Sequence, residues 1–171
     1  MFSKSGSAHS RPRRSRSTRL LSRRPSGVTT TPTATTTFSG RVLPSLLLLY
    51  CGASLLHFLH NAAYVAAYPN LPKWISPAAI LFAWCAISAI GLCGYLLGRR
   101  GYVLPGLFVL AVYTILGFDG LLHYGRAPMS EHTVGMNRTI WVEVATAALA
   151  LGVVSWLAAT SLMPRVRAKR A

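Results

Sequence analysis

The sequence predicts an all-α integral membrane protein, a four-helix bundle preceded by a disordered basic tail. Three observations carry this expectation. From Val42 onward the chain holds four apolar segments, each long enough for a hydrocarbon core that requires about 20 helical residues. Prolines, glycines and charges punctuate the gaps between them. The basic residues collect on alternate connections, which is the pattern of membrane topology rather than of a folded basic surface.

The 171 residues carry a formal net charge of +15, which on a soluble domain would point to nucleic acid. Nine of the eighteen basic residues precede Val42, and most of the others lie between or after apolar runs, so no specific nucleic-acid binding is expected. The lipid bilayer is the expected partner, with other membrane subunits or a second copy of the chain beside it. Residues 1–40 are rich in Arg, Ser and Thr, contain no acid and show no period. Such a segment buries too little apolar surface to offset its ordering entropy, so it is expected to be a disordered tail near anionic headgroups. Its composition also matches a transit peptide, and a start codon further into the chain would remove it. A twin-arginine signal does not fit, because Pro25 and Ser26 follow Arg23-Arg24 where an apolar run is required.

The transmembrane domain is expected over 41–164. Span one covers about 42–68, with Pro44 in its first turn, and stops at the turn-rich Tyr68-Pro69-Asn70-Leu71-Pro72. Its apolar run outlasts a signal-peptide core. Span two, 76–98, opens with Ser76 as N-cap and Pro77 at the first helical position. Arg99-Arg100-Gly101 is a tight turn, so spans two and three, the latter 102–124, are antiparallel neighbours. Span four, 139–163, stops at Pro164 ahead of a basic tail, 165–171. With both termini inside, only Lys73, Arg126 and Arg138 fall outside, and this assigns the topology N-in, C-in.

Gly94 and Gly98, Gly117 and Gly120, and Ala148 and Gly152 are expected to let helix backbones approach, because van der Waals packing drives helix association in lipid. Cys51, Cys85 and Cys93 all fall in spans without metal-type spacing and read as apolar filler.

The residues with chemistry cluster at one level. On the N-in topology, His57, His60, Asn61 and Tyr64 form an i, i+3, i+4, i+7 stripe in the outer half of span one. Asp119 and His123 end span three, and Glu143 falls in the second turn of span four. Counting helical rise places His60, Asn61, Asp119 and Glu143 at roughly 7–12 Å depth, His57 near 16 Å and His123 almost at the surface. Ionised groups are costly in lipid, so these side chains should face the bundle interior and pair.

His57, His60, Asp119, His123 and Glu143 supply the imidazoles and carboxylates of a divalent transition-metal site, with Asn61 and Tyr64 behind them. A small polar ligand is the other occupant such a pocket would take. In the competing reading the cluster only fixes helix packing, in a structural or accessory subunit. In a third, Asp119 or Glu143 is the acid or base of a membrane enzyme, although the residues name no reaction. A b-type haem is disfavoured by a depth mismatch of about 9 Å between His57 or His60 and His123. An ion path is weakened by the lack of ionisable residues in the inner halves of the spans. Ser54 lacks a nucleophile-elbow context. Glu131 and His132 read as a solvated loop in preference to extra ligands or a lid, and Asn137-Arg138-Thr139 as a glycosylation pattern too close to the membrane.

Leu56-His57-Phe58 in span one, Pro72-Lys73-Trp74-Ile75 before span two and the Arg-Arg turn before span three resemble the layout of DoxX-like proteins. These are small four-helix bacterial membrane proteins, some linked to redox or thiosulfate–quinone systems. The resemblance covers about half of the chain and implies the four-helix architecture and a bacterial inner membrane. It carries over no catalytic residue. Span two here has no acid where many relatives have one, and the Asp119/Glu143 set is this chain's own.

Overall fold

Four α-helices, each begun or ended by residues that suit a helix terminus, make up the bundle of the computed structural model, which describes Phe38, residues 40–70 and 72–168, with side chains to Met163. The expected disordered tail over 1–40 therefore falls almost entirely outside the described residues. The helices are α1 (Val42–Ala63), α2 (Pro77–Arg99), α3 (Val103–Leu116) and α4 (Val134–Ala168). Three short 3₁₀ turns, Val65–Ala67, Asp119–His123 and Met129–Glu131, complete the structure, and no strand occurs among the described residues. The segments Val42–Ala63, Pro77–Arg99, Val103–His123 and Val134–Met163 are each long and apolar enough to cross a membrane. Leu48, Phe82, Phe108 and Trp156 all lie exposed on the outside, as in a bundle whose solvent is lipid. The fold is that of a polytopic membrane protein.

The start of α2 follows the sequence closely. Ser76 Oγ accepts from the Ala79 amide at 3.2 Å, and Pro77 takes the first helical position. At its other end Gly101 has φ +92°, while the Tyr102 amide donates to the Leu97 carbonyl and the Gly101 amide to the Gly98 carbonyl, both at 3.1 Å. This is a Schellman closure, and its left-handed residue is the glycine. The reversal lays α3 back along α2.

Along that seam Gly94 and Gly98 meet Gly106 backbone to backbone. A β-carbon on Gly106 would lie 2.6 Å from the Gly98 nitrogen and 2.8 Å from the Gly94 carbonyl oxygen. Phe38 covers the other side of Gly98. Gly117 is also pressed closely, against the Tyr50 hydroxyl and Ala147. The expectation for span four does not hold: Ala148 is exposed and Gly152 touches nothing within 4 Å, while Ala147 and Ala150 are buried instead. The core runs through Leu43, Leu47, Tyr50, Leu107, Leu110, Tyr113, Ala147 and Val154, so α1, α3 and α4 build it. Fully buried positions on α2 are only its glycines Gly91, Gly94 and Gly98.

Three boundaries differ from expectation at the end of the bundle that holds the polar cluster. Helix α1 stops at Ala63 rather than near 68. Helix α3 stops at Leu116, and the segment expected to continue it tightens into the 3₁₀ turn Asp119–His123. Gly117 and Gly120 weaken the helix there, and Tyr50 and Ala147 occupy the space beside Gly117. Helix α4 begins at Val134, five residues early, which moves Glu143 from the second turn to the third. Its backbone stays helical to Ala168, one turn past the expected stop at Pro164.

Candidate functional site: a polar cavity at one end of the bundle

The end of α1, the start of α2, the 3₁₀ turn after α3 and the start of α4 converge, and the polar residues meet there in two groups.

The first group surrounds His57. The residue is 1 % exposed, and Glu143 on α4 is fully buried beside it. The Asn61 amide nitrogen lies 2.9 Å from His57 Nε2. An amide N–H only donates, so Nε2 accepts and the hydrogen of the neutral ring sits on Nδ1. Nδ1 faces Glu143 Oε2 at 3.8 Å, too far for a hydrogen bond. Gly120 closes over this pair. A β-carbon there would stand 3.5 Å from His57 Cε1 and 3.7 Å from Glu143 Oε2.

Above the pair is a cavity of about 290 Å³. Its polar wall is His57, Asn61, Asp119 and His123, and its apolar wall comes from Phe58 and from Trp74, Ile75, Ala79, Ile80 and Ala83 at the start of α2. Asn61 Oδ1, Asp119 Oδ1, His57 Nδ1 and both Glu143 carboxylate oxygens are buried without a hydrogen-bond partner. Buried polar groups are nearly always paired, because each unpaired one costs about 1–3 kcal/mol. Three of these residues line one small cavity and the fourth, Glu143, lies behind His57, a concentration of unpaired groups that helix packing alone does not require.

The second group is centred on Tyr68. Its hydroxyl lies 3.0 Å from His60 Nδ1, and its ring centroid lies 4.8 Å from that of His123 and 6.4 Å from that of His132. Burial raises the Tyr68 phenol above its ordinary pKa, so it keeps its proton and donates to His60. Burial moves Tyr124 in the same direction, and its hydroxyl donates to Asn137 Oδ1 at 2.8 Å. Asn137 Nδ2 then donates to the Met129 carbonyl at 3.2 Å. His132 Nδ1 donates to the Pro128 carbonyl at 3.1 Å, which leaves Nε2 as a buried lone pair without a donor.

Several expectations need correction. The stripe on α1 divides: His57 and Asn61 reach the cavity, whereas His60 turns to Tyr68 and Tyr64 is exposed. Tyr64 falls outside the site because α1 ends before it, so its backbone no longer continues the stripe. The five residues expected to form a metal set do not converge on one point. Among the described residues no three His, Cys, Asp or Glu side chains are grouped to hold an ion. His57 Nε2 is engaged by Asn61, and His60 Nδ1 by Tyr68.

The expected depth mismatch between His57 and His123 is absent, since their ring centroids are 5.7 Å apart. Two boundary shifts explain it: α1 ends only six residues beyond His57, and the 3₁₀ turn folds His123 down beside it. Haem gains nothing from this, because neither nitrogen of His57 is free to face away from Asn61 and Glu143. His132 is buried rather than solvated, although Glu131 is exposed as expected. Asn137 spends its amide on the loop, which explains its place at the start of α4 without glycosylation.

The sequence does not single out Tyr68, which marks only a span end, and it places His132 in a polar loop with nothing apolar beside it. The one available signal was their aromatic character next to three other histidines at the same end. Comparison with protein-family models, with curated proteins and with solved structures gives no match for this chain.

Proposed function

We propose that this protein binds a small polar ligand in the cavity between α1, α2 and the Asp119–His123 turn. The observation that carries the reading is the set of unpartnered buried polar atoms on residues that line the cavity or stand directly behind it. Helix-fixing polar networks work through bonds that are made, and here such bonds belong to His60, Tyr68, Tyr124 and Asn137. Asn61 and Asp119, which line the cavity, instead each keep a buried acceptor without a partner, and His57 with Glu143 lies beside them as a buried acid–base pair. This division favours a binding site over the structural-subunit reading. It also favours a polar organic ligand over a metal, since the donors are spread along the cavity wall.

The cavity has a built-in control. Alanine at Gly120 would make ordinary contacts with Ile140, His57 and Glu143, whereas leucine would fill the space above the pair. Denaturing the purified wild-type protein is therefore expected to release a small molecule at about one per chain by mass spectrometry. Gly120→Ala should retain it and Gly120→Leu should lose it. Equal recovery from wild type and Gly120→Leu, or recovery from neither, would defeat the proposal. Stoichiometric metal in the wild type, lost in His57→Ala and Asp119→Asn, would restore the metal reading in its place.

The site opens outward on the N-in, C-in topology that the basic residues support, in the bacterial inner membrane that the DoxX-like resemblance implies. Ser130 is exposed in the loop before α4 and reports on that side. A cysteine at Ser130, in a background without the native cysteines, should react with an impermeant thiol reagent from outside the cell. One at Ser161 should react only from the cytoplasm, and labelling of Ser130 from the cytoplasm would reverse the topology.

A further inference from the structure

Two of the three acids of this chain stand at the polar cavity or directly behind it, and neither has a Lys or Arg partner. Among the described residues Asp119 makes no ion pair, and Glu143 meets only His57. Asp119 is the single acid lining the cavity, and no Lys or Arg lines it. His57 is neutral there, because its Nε2 accepts from the Asn61 amide. A carboxylate without a counter-charge is costly in a membrane bundle, so this wall is complementary to a positive charge.

The net charge of +15 does not oppose a cation here. All three acids lie at this end of the bundle. Among the described residues the Lys and Arg side chains of this end are Lys73, Arg126 and Arg138, so the two signs balance.

The rest of the wall selects the kind of cation. It is mostly apolar and includes two aromatic side chains, Phe58 of α1 and Trp74 just before α2. Trp74 is 80 % exposed, which places it at the rim. Aromatic rings attract cations near their faces, and quaternary ammonium groups are bound in this way. The acceptors Asn61 Oδ1 and Asp119 Oδ1 are sealed beneath the surface. An ammonium with N–H groups would have to reach them. A quaternary ammonium has no N–H, turns methyl groups to apolar walls, and meets Asp119 through charge alone, which acts over several ångströms where water is excluded. The cavity of about 290 Å³ equals the volume of about ten waters, enough for a choline-sized ion. Without Lys or Arg on the wall a phosphate has no clamp, which favours a free ion over a phospholipid headgroup.

We propose that the cavity takes a free quaternary ammonium ion about the size of choline, paired by charge with Asp119 and held against Trp74 and Phe58. This rests on the ligand-binding reading above and names the chemical class of the ligand.

The test titrates choline and tetramethylammonium into the purified full chain in dodecyl maltoside, followed by calorimetry, with dimethylbutanol as the uncharged isostere of choline. Choline should bind at least about tenfold more tightly than dimethylbutanol, the scale of a contact to a charged group. Asp119→Asn keeps the shape of the wall and should abolish that preference. Trp74→Leu should weaken choline about threefold, and Trp74→Phe should restore part of the loss. Trp74 is exposed, so its variants leave the fold intact. A larger cavity of about 390 Å³ beside α1 and α2, lined by Cys51 and Ser88 among others, holds no acid. Ions lodged there would not respond to Asp119→Asn.

Equal binding of choline and dimethylbutanol, or choline binding unchanged in Asp119→Asn, overturns the cation inference but leaves the cavity as a ligand site. Dihexanoylphosphatidylcholine bound as tightly as choline would assign the cavity to a lipid headgroup and overturn the free ion. If neither ammonium binds while the wild type still releases a molecule that Gly120→Leu loses, only the inference falls. If nothing binds and nothing is released, the ligand-binding reading falls with it.

Discussion

Glu143→Leu is expected to make the protein more stable and to abolish ligand binding. Glu143 is fully buried, neither carboxylate oxygen has a hydrogen-bond partner, and its nearest counter-group, His57 Nδ1, stands at 3.8 Å. Leucine occupies a similar volume and removes two unpaired oxygens whose desolvation costs about 1–3 kcal/mol. Replacing a poorly paired buried polar or ionisable group with a well-packed apolar one is often neutral or stabilising. The midpoint of thermal unfolding in detergent, followed by helix content, should therefore rise, while the small molecule released on denaturation disappears. If Glu143 instead holds α4 to α1, the same substitution lowers the midpoint. The sign of one stability change thus separates a functional carboxylate from a structural one, because a site kept unpaired for its ligand carries a stability deficit that a structural bond does not.

Gly106→Val is expected to destabilise the bundle strongly. A β-carbon there meets backbone atoms of both Gly94 and Gly98, which cannot rotate away as a side chain would. Accommodating it means separating α2 from α3. Overpacking in a well-packed core costs about 1–3 kcal/mol, and the upper part of that range applies where the obstacle is backbone. Lipid offers no hydrophobic force to draw the helices back together. The comparison is Gly152→Val, where nothing lies within 4 Å and no change in the unfolding midpoint is expected. Equal midpoints for the two variants would mean that the glycine seam does not hold α2 in place.

These two cases show different degrees of legibility in the sequence. Gly94 and Gly98 were readable as a close-packing pair from their spacing alone. Ala148 and Gly152 have the same spacing and face outward, because a small residue is permitted wherever backbones approach but does not compel them to. The partner Gly106 carried no pattern of its own. The polar cluster shows the same limit. That His57, Asn61, Asp119, His123 and Glu143 gather at one end followed from counting residues along four spans. Which atoms remain unpaired did not follow, since that depends on where α1 and α3 leave the α-helical path.

The sequence by itself determined four apolar helices, four of their eight limits to within a turn, the Ser76 cap, the Gly101 reversal and the end of the bundle where ionisable groups collect. These follow from local physics: hydropathy and helical rise, capping hydroxyls, and the left-handed conformation that glycine adopts freely. Only the tertiary structure decided the rest. It brought His57 beside His123 by tightening the chain after Gly117, turned His60 towards Tyr68, buried His132, and left a cavity between α1, α2 and the Asp119–His123 turn. Hydrogen-bond partners and cavities arise between elements, from offsets of a few ångströms that no period in a single chain records.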